Sequence, residues 1–219
     1  VHAYDDPDIV AGQGTLGLEI VDQVPEVDTV IVPIGGGGLI AGIATAIGEL
    51  SPQTRVVGVQ ASGAATVPQS LQKGEPQEAE RVQTIADGIA TGGISQLTYE
   101  HIDKYVDRVV TVSDTDIAES ILFMLERTKQ MLEGAGATSI AALRSDDLDV
   151  EGETVVPLLC GGNLCMTDLQ TVLKHGLAHR NQVVTLRVQI VDEPGEMGRL
   201  SNIIADHEAN IREVRHERS

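Results

Sequence analysis

The sequence predicts an α/β protein, an open and mainly parallel sheet with helices on both faces, followed by a smaller and partial α+β unit. Three observations carry this. Residues 29–32 are a β-branched run, residues 38–50 an apolar helical stretch, and residues 55–60 a second strand-like run, together a βαβ unit with a right-handed crossover. Residues 155–159 form a fully apolar run ending in Cys160-Gly161-Gly162-Asn163, a tight turn that feeds another helix. Beyond residue 180 the period changes to two, with Val184, Leu186, Val188 and Ile190 alternating with polar residues. The expected division is 1–180 for the sheet domain and 183–219 for the second unit.

Between the first strand and its helix stand four consecutive glycines, Gly35, Gly36, Gly37 and Gly38. Each costs roughly 0.5–1 kcal/mol against alanine inside a regular element, so the run needs a compensating purpose. A backbone that aims several N–H groups at one point and delivers an anion to a helix N-terminus supplies one, with phosphate the natural guest. The loop lacks the Gly-Lys-Ser/Thr of a nucleotide P-loop, because Leu39 and Ile40 follow Gly38. A dinucleotide site would place an acid at the end of the next strand, where Gln60 stands. A small phosphorylated cofactor fits better; a glycine turn without a ligand is the plain alternative.

In chain order, Asp6-Pro7-Asp8 marks a helix start and Ile9, Val10, Leu16, Ile20 and Val24 keep helical spacing, with Gly12 and Gly14 inside permitting close packing. Residues 61–83 hold one helix and then a polar loop, and residues 84–88 a small turn. A helix over 99–105 leads into a strand at 108–112. Ser113 and Asp116 form a capping box for a long helix that carries Ile117, Ile121, Met124, Leu125, Thr128 and Leu132 on one face. Residues 133–137 break that helix and start another that ends near Arg144. In the last unit, strands at 184–190 and 210–211 flank a helix marked by Leu200, Ile203 and Ile204.

Lys+Arg number 15 against Asp+Glu 33, a net charge of −18 without an acidic tail, so nucleic acid is excluded as a partner. Among the cations only Lys73, Lys104, Lys129 and Lys174 are lysines, and such a dispersed acidic surface suggests a halophilic protein. Cys160 and Cys165 resemble neither a disulfide framework nor a zinc ribbon, which points to a reducing compartment. With no membrane-length apolar run and no signal peptide, the expected location is cytoplasmic. The start at Val1-His2-Ala3 reads as that of a fragment or a processed piece.

Five motifs in order, AGQGT at 11–15, GGGGLIAG at 35–42, ADG at 86–88, EGAGA at 133–137 and CGGN at 160–163, resemble the fold type II pyridoxal-phosphate enzymes, specifically threonine ammonia-lyase (threonine dehydratase) and its relative serine racemase. The resemblance covers residues 2–180; DEPGEMGRL at 192–200 and ANI at 209–211 resemble the first half of an ACT domain, an amino-acid sensor. It implies pyridoxal 5'-phosphate as cofactor, with Gly35 to Gly38 on its phosphate, Gly88 against the pyridine face, Glu133 near the ring substituents and Cys160 by the pyridine nitrogen, where the family most often has serine. The structural alternatives are a helix-end carboxylate for Glu133 and a buried thiol for Cys160.

The family's Schiff-base lysine lies in a Ser-Phe-Lys motif upstream of AGQGT, and none of the four lysines here has that context, so no catalytic residue is assigned within these 219 residues. There the lysine takes the α-proton of threonine, the β-hydroxyl leaves, and hydrolysis gives 2-oxobutanoate and ammonia, a step of isoleucine synthesis or threonine catabolism. Some relatives bind a divalent cation after the next strand; Gln60 and Thr66 replace the acids expected, so no metal is assigned. His2 and Tyr4 fall near the substrate-pocket mouth, in positions that are usually solvated. Serine dehydratase, serine racemase or a non-catalytic amino-acid or phosphate-ligand sensor are the alternatives, and the full-length enzyme is expected to be a homo-oligomer acting on threonine or serine.

Overall fold

The computed structural model describes residues 1–180 and 182–217. It divides into two units, Val1–Val183 and Val184–Ser219. In the first, helix α1 (Pro7–Gln23) precedes strand β1 (Thr29–Pro33), helix α2 (Gly38–Leu50) and strand β2 (Arg55–Ala61). Helices α3 (Val67–Lys73) and α4 (Gln96–Tyr105) follow, then strand β3 (Arg108–Val112). Helices α5 (Asp114–Arg127) and α6 (Gly134–Leu143), strand β4 (Val155–Pro157) and helix α7 (Met166–His179) complete it. The strands form one four-stranded sheet in the order β3-β2-β1-β4, every pair parallel.

Alternation along β1 divides the core. Val30 and Val32 point into a cluster with Ile40, Ile43, Ile47 and Ile102, against α2 and α4. Ile31 points the other way, to Ile117, Ile121 and Ile140 of α5 and α6. Ile31, Ile40, Ile43 and Ile47 are all 0 % exposed, and full burial of such a side chain contributes about 1.5–3 kcal/mol. This two-sided burial is why β1 reads as a continuous apolar run and not as an alternating one.

Helix α1 starts as expected, with the Asp6 side chain accepting from Asp8 N at 2.9 Å and Pro7 in the first turn. Its glycines set the approach to α2. A Cβ on Gly17 would lie 2.9 Å from Ala46 Cβ, and one on Gly42 would fall on Val10 O and 2.5 Å from Gly14 N, so the two helices touch backbone to backbone. At the N-terminal edge of the sheet, Arg55 Nη2 pairs with Glu153 Oε1 at 2.6 Å and Thr29 Oγ1 donates to Glu153 Oε2 at 2.6 Å. The bonds from Arg55 and then Thr29 hold the Glu153 carboxyl below the usual range.

Three expectations change. The helix over 114–132 stops at Arg127: Lys129 takes φ 62°, and Leu132 reaches the core from an extended segment, so its apolar spacing continues where the helix does not. The strand expected at 155–159 is only β4, although Leu158 N still donates to Ile31 O at 2.9 Å. In the second unit helix α8 (Glu196–Asp206) forms, but among the described residues neither 184–190 nor 210–211 joins a ladder. Alternation supplies the faces of a strand but not its hydrogen-bonding partner, and Val184, Leu186 and Val188 remain exposed.

Candidate functional site

The C-terminal end of β1 runs through Ile34, whose N–H still bonds Val59 O at 2.7 Å, and then leaves the sheet as the glycine loop. Gly37 adopts φ 92°, a left-handed conformation, and is the N-cap of α2. Gly36, Gly37 and Gly38 are buried, yet among the described residues nothing accepts from their N–H groups. Buried backbone donors in native proteins are nearly always paired, so three together at a helix N-terminus form an anion cradle that wants a guest.

The cradle has defined walls. A Cβ on Gly35 would stand 3.1 Å from Ile89 Cα, and one on Gly36 would fall inside the Tyr4 ring. On Gly38 it would sit 3.0 Å from Tyr4 Cβ, and on Gly37 2.9 Å from Thr98 Cβ. Tyr4 is thus half-buried against the loop, correcting the expectation of a solvated side chain. His2 stays exposed, its Nδ1 accepting from Asp5 N at 2.9 Å and its ring meeting the Tyr4 ring edge-on at 4.7 Å. Thr98 Oγ1 donates to Gly36 O at 2.9 Å. Sequence reasoning missed Thr98, whose only local signal is its place in a Ser95/Thr98 capping box.

A second group forms beside the first from three backbone segments. Gly134 packs on the 85–86 backbone, where its Cβ would be 2.6 Å from Ile85 O, and a Cβ on Gly136 would be 2.5 Å from Gly161 O. Glu133, the N-cap of α6, makes no side-chain capping bond; its Oε1 lies 3.1 Å from where a Gly88 Cβ would stand and also fills the space beside Gly161. Cys160 is half-buried, and burial pushes its thiol above the ordinary value. A cleft of 310 Å³ lined by Gln130, Met131, Leu132, Leu159, Gly161 and Gly162 adjoins this group. Because Gly35 abuts Ile89, next to Gly88, the phosphate-type cradle and the Gly88–Glu133–Cys160 group share one edge of the sheet. All seven residues singled out from sequence are therefore neighbours or one residue removed from a neighbour.

Gln60 is buried and closes the turn after β2: its Oε1 accepts from Thr66 N at 3.0 Å and Val67 N at 2.8 Å, and its Nε2 donates to Ala64 O at 3.4 Å. The lysines lie on the surface: Lys73 bonds Gln77, Lys104 the Tyr105 hydroxyl, Lys129 the Glu126 carbonyl, and Lys174 is exposed on α7. No helix among the described residues is long and apolar enough to cross a membrane.

The unpaired amides of Gly36 to Gly38 at the N-terminus of α2 suit a phosphorylated cofactor. The comparisons agree on its kind. Residues 1–161 match the family described as pyridoxal-phosphate dependent enzyme. The chain is 41% identical to the L-threonine ammonia-lyase of Thermotoga maritima over all 219 residues, which is 54% of that relative. Among solved structures, the processed form of threonine deaminase isoform 2 from Solanum lycopersicum superposes with a TM-score of 0.76 at 33% identity, over 80% of this chain and 52% of that one. Maize serine racemase superposes at 0.74 and 33%, over 83% and 56%. The chain spans about half the length of the curated relatives it matches. With its glycine cradle at the end of β1 and a family match across most of the sheet domain, the chain belongs to the pyridoxal-phosphate dependent enzymes.

Proposed function

We propose that the protein containing this chain deaminates L-threonine to 2-oxobutanoate and ammonia by β-elimination. The observation that carries the site is the set of buried, unpartnered amides at Gly36, Gly37 and Gly38 on the N-terminus of α2; the relatives named L-threonine ammonia-lyase carry the substrate. When bound, pyridoxal phosphate supplies the electron sink for negative charge developing at the amino acid's α-carbon. Gly35 to Gly38 would hold the phosphate through backbone N–H groups, and Gly88, which carries no side chain, would lie against the pyridine face. Glu133, whose Oε1 lies close to Gly88, would sit beside the ring substituents.

Cys160 would meet the ring nitrogen with a thiol whose pKa burial raises. A thiol is a weak donor and a weak acceptor, so it does not force a proton onto the nitrogen. Such a partner would restrain delocalisation of the α-carbon charge and favour prompt loss of the β-substituent over transamination. The whole enzyme is a homo-oligomer in this reading, and residues 183–219 open an ACT-like regulatory unit.

Serine racemisation is the second reading, favoured by the superposition on maize serine racemase. The holoprotein assayed with L-threonine, L-serine and D-serine distinguishes them: 2-oxobutanoate formed faster than pyruvate, with no D-serine from L-serine, is the expected result. Rapid appearance of D-serine, or no keto acid from either substrate, would reject the assignment.

A further inference from the structure

Thr98 is 0 % exposed and lies in the first turn of α4, distant in sequence from the glycine loop. Its hydroxyl has one proton to give. Gly36 O, at 2.9 Å, is nearer than the alternative acceptors Ser95 Oγ, at 3.2 Å, and Ser95 O, at 3.3 Å, while Ser95 N donates to Thr98 Oγ1 at 3.1 Å. The proton therefore goes to Gly36.

The consequence follows from the geometry of the peptide unit. In a planar trans peptide the C=O of one residue and the N–H of the next point in opposite directions. Holding the Gly36 carbonyl against α4 turns the Gly37 N–H away from α4, where nothing among the described residues accepts from it. Thr98 thus pins the Gly36 carbonyl by a hydrogen bond made from the first turn of α4.

We propose that Thr98 is the positioning residue of the cradle, setting the Gly36–Gly37 peptide so that the Gly37 amide is presented to the cofactor phosphate before the cofactor arrives. This rests on the reading of the loop as the phosphate site.

Thr98 also belongs to a capping box, in which the Ser95 side chain accepts from Thr98 N. The test must separate the two roles, and Ser95→Ala does so, since it removes the cap and leaves the bond to Gly36. In the holoprotein, Thr98→Val keeps the β-branch and loses the hydroxyl, and Thr98→Ser restores it. The readouts are the dissociation constant for pyridoxal phosphate added to apoprotein and the ³¹P shift of the bound phosphate. Thr98→Val should weaken binding about 10- to 100-fold, the worth of one correctly aimed bond to a charged group, and move the ³¹P signal. Ser95→Ala and Thr98→Ser should stay within about threefold of wild type on the same scale.

Equal loss in Ser95→Ala and Thr98→Val would overturn the proposal, as would a Thr98→Val variant that binds like wild type. In wild-type apoprotein the Gly37 amide resonance should shift on adding inorganic phosphate, and a Gly37 amide insensitive to phosphate would also overturn it, whatever the folding of the variants. Failure of wild-type apoprotein to bind pyridoxal phosphate is a different result: it removes the cradle reading itself, and this inference with it.

Discussion

Replacing Gly37 by alanine tests the site at its most constrained point. Two costs add there. The residue sits at φ 92°, and a left-handed conformation costs an L-residue about 1–2 kcal/mol. The new methyl would also lie 2.9 Å from both Cβ and Oγ1 of Thr98 and 3.2 Å from Ile102 Cδ1, both residues 0 % exposed. Thr98 can give way only by surrendering its bond to Gly36, and such overpacking typically costs 1–3 kcal/mol. A total loss of about 2–5 kcal/mol follows, read as a shifted urea midpoint at unchanged slope. Cofactor affinity should fall with it. Gly12→Ala in α1, where nothing lies within 4 Å of the added Cβ, is the matched comparison and should stabilise by about 0.5–1 kcal/mol. A Gly37→Ala protein within about 1 kcal/mol of wild type would show that the loop is softer than this reasoning holds.

Further expectations concern the rest of the domain. Gly42→Ala should cost at least about 2 kcal/mol in urea unfolding, because the methyl meets the backbone of Val10, Gln13 and Gly14; a smaller loss would mean that the helices part easily. At pH 8, mass spectrometry should show iodoacetamide modifying exposed Cys165 before Cys160, whose thiol burial holds protonated, and the reverse order would contradict that burial. Glu153→Gln should destabilise at neutral pH and lose its effect in acid: the folded carboxyl is held low, so its contribution is complete above the unfolded value near ~4.3 and fades as pH falls through the folded one. A difference in urea midpoint that persists below about pH 2 would sink that account. With a net charge of −18, Tm should rise between 0.1 and 1 M potassium chloride as the screening length drops from ~10 to ~3 Å; a fall would count against a halophilic surface.

The parts legible in the sequence were those with local causes. The βαβ unit could be read because β1 is apolar on both faces and α2 begins where the glycines end. The Ser113/Asp116 capping box forms both of its bonds. What sequence reasoning could not reach are contacts made by distant segments. Thr98 meets Gly36 and Tyr4 meets Gly38 only after the chain has folded, and neither carries a spacing signal that names its partner. Leu132 misled in the opposite sense, since burial in the core does not require a helix. The period-two pattern at 184–190 gives a strand's faces without showing what it would pair with.

The backbone contact between α1 and α2 has a dynamic consequence. Most core contacts involve side chains that can change rotamer and let two helices slide, but Gly14, Gly17 and Gly42 leave nothing between the helices to yield. Tyr4 lies two residues before the Asp6 cap of α1, and the glycine loop ends in the first residue of α2. The wall and the floor of the cradle are therefore attached to the two halves of one stiff body. A displacement of one helix therefore carries the wall and the floor of the cradle with it together.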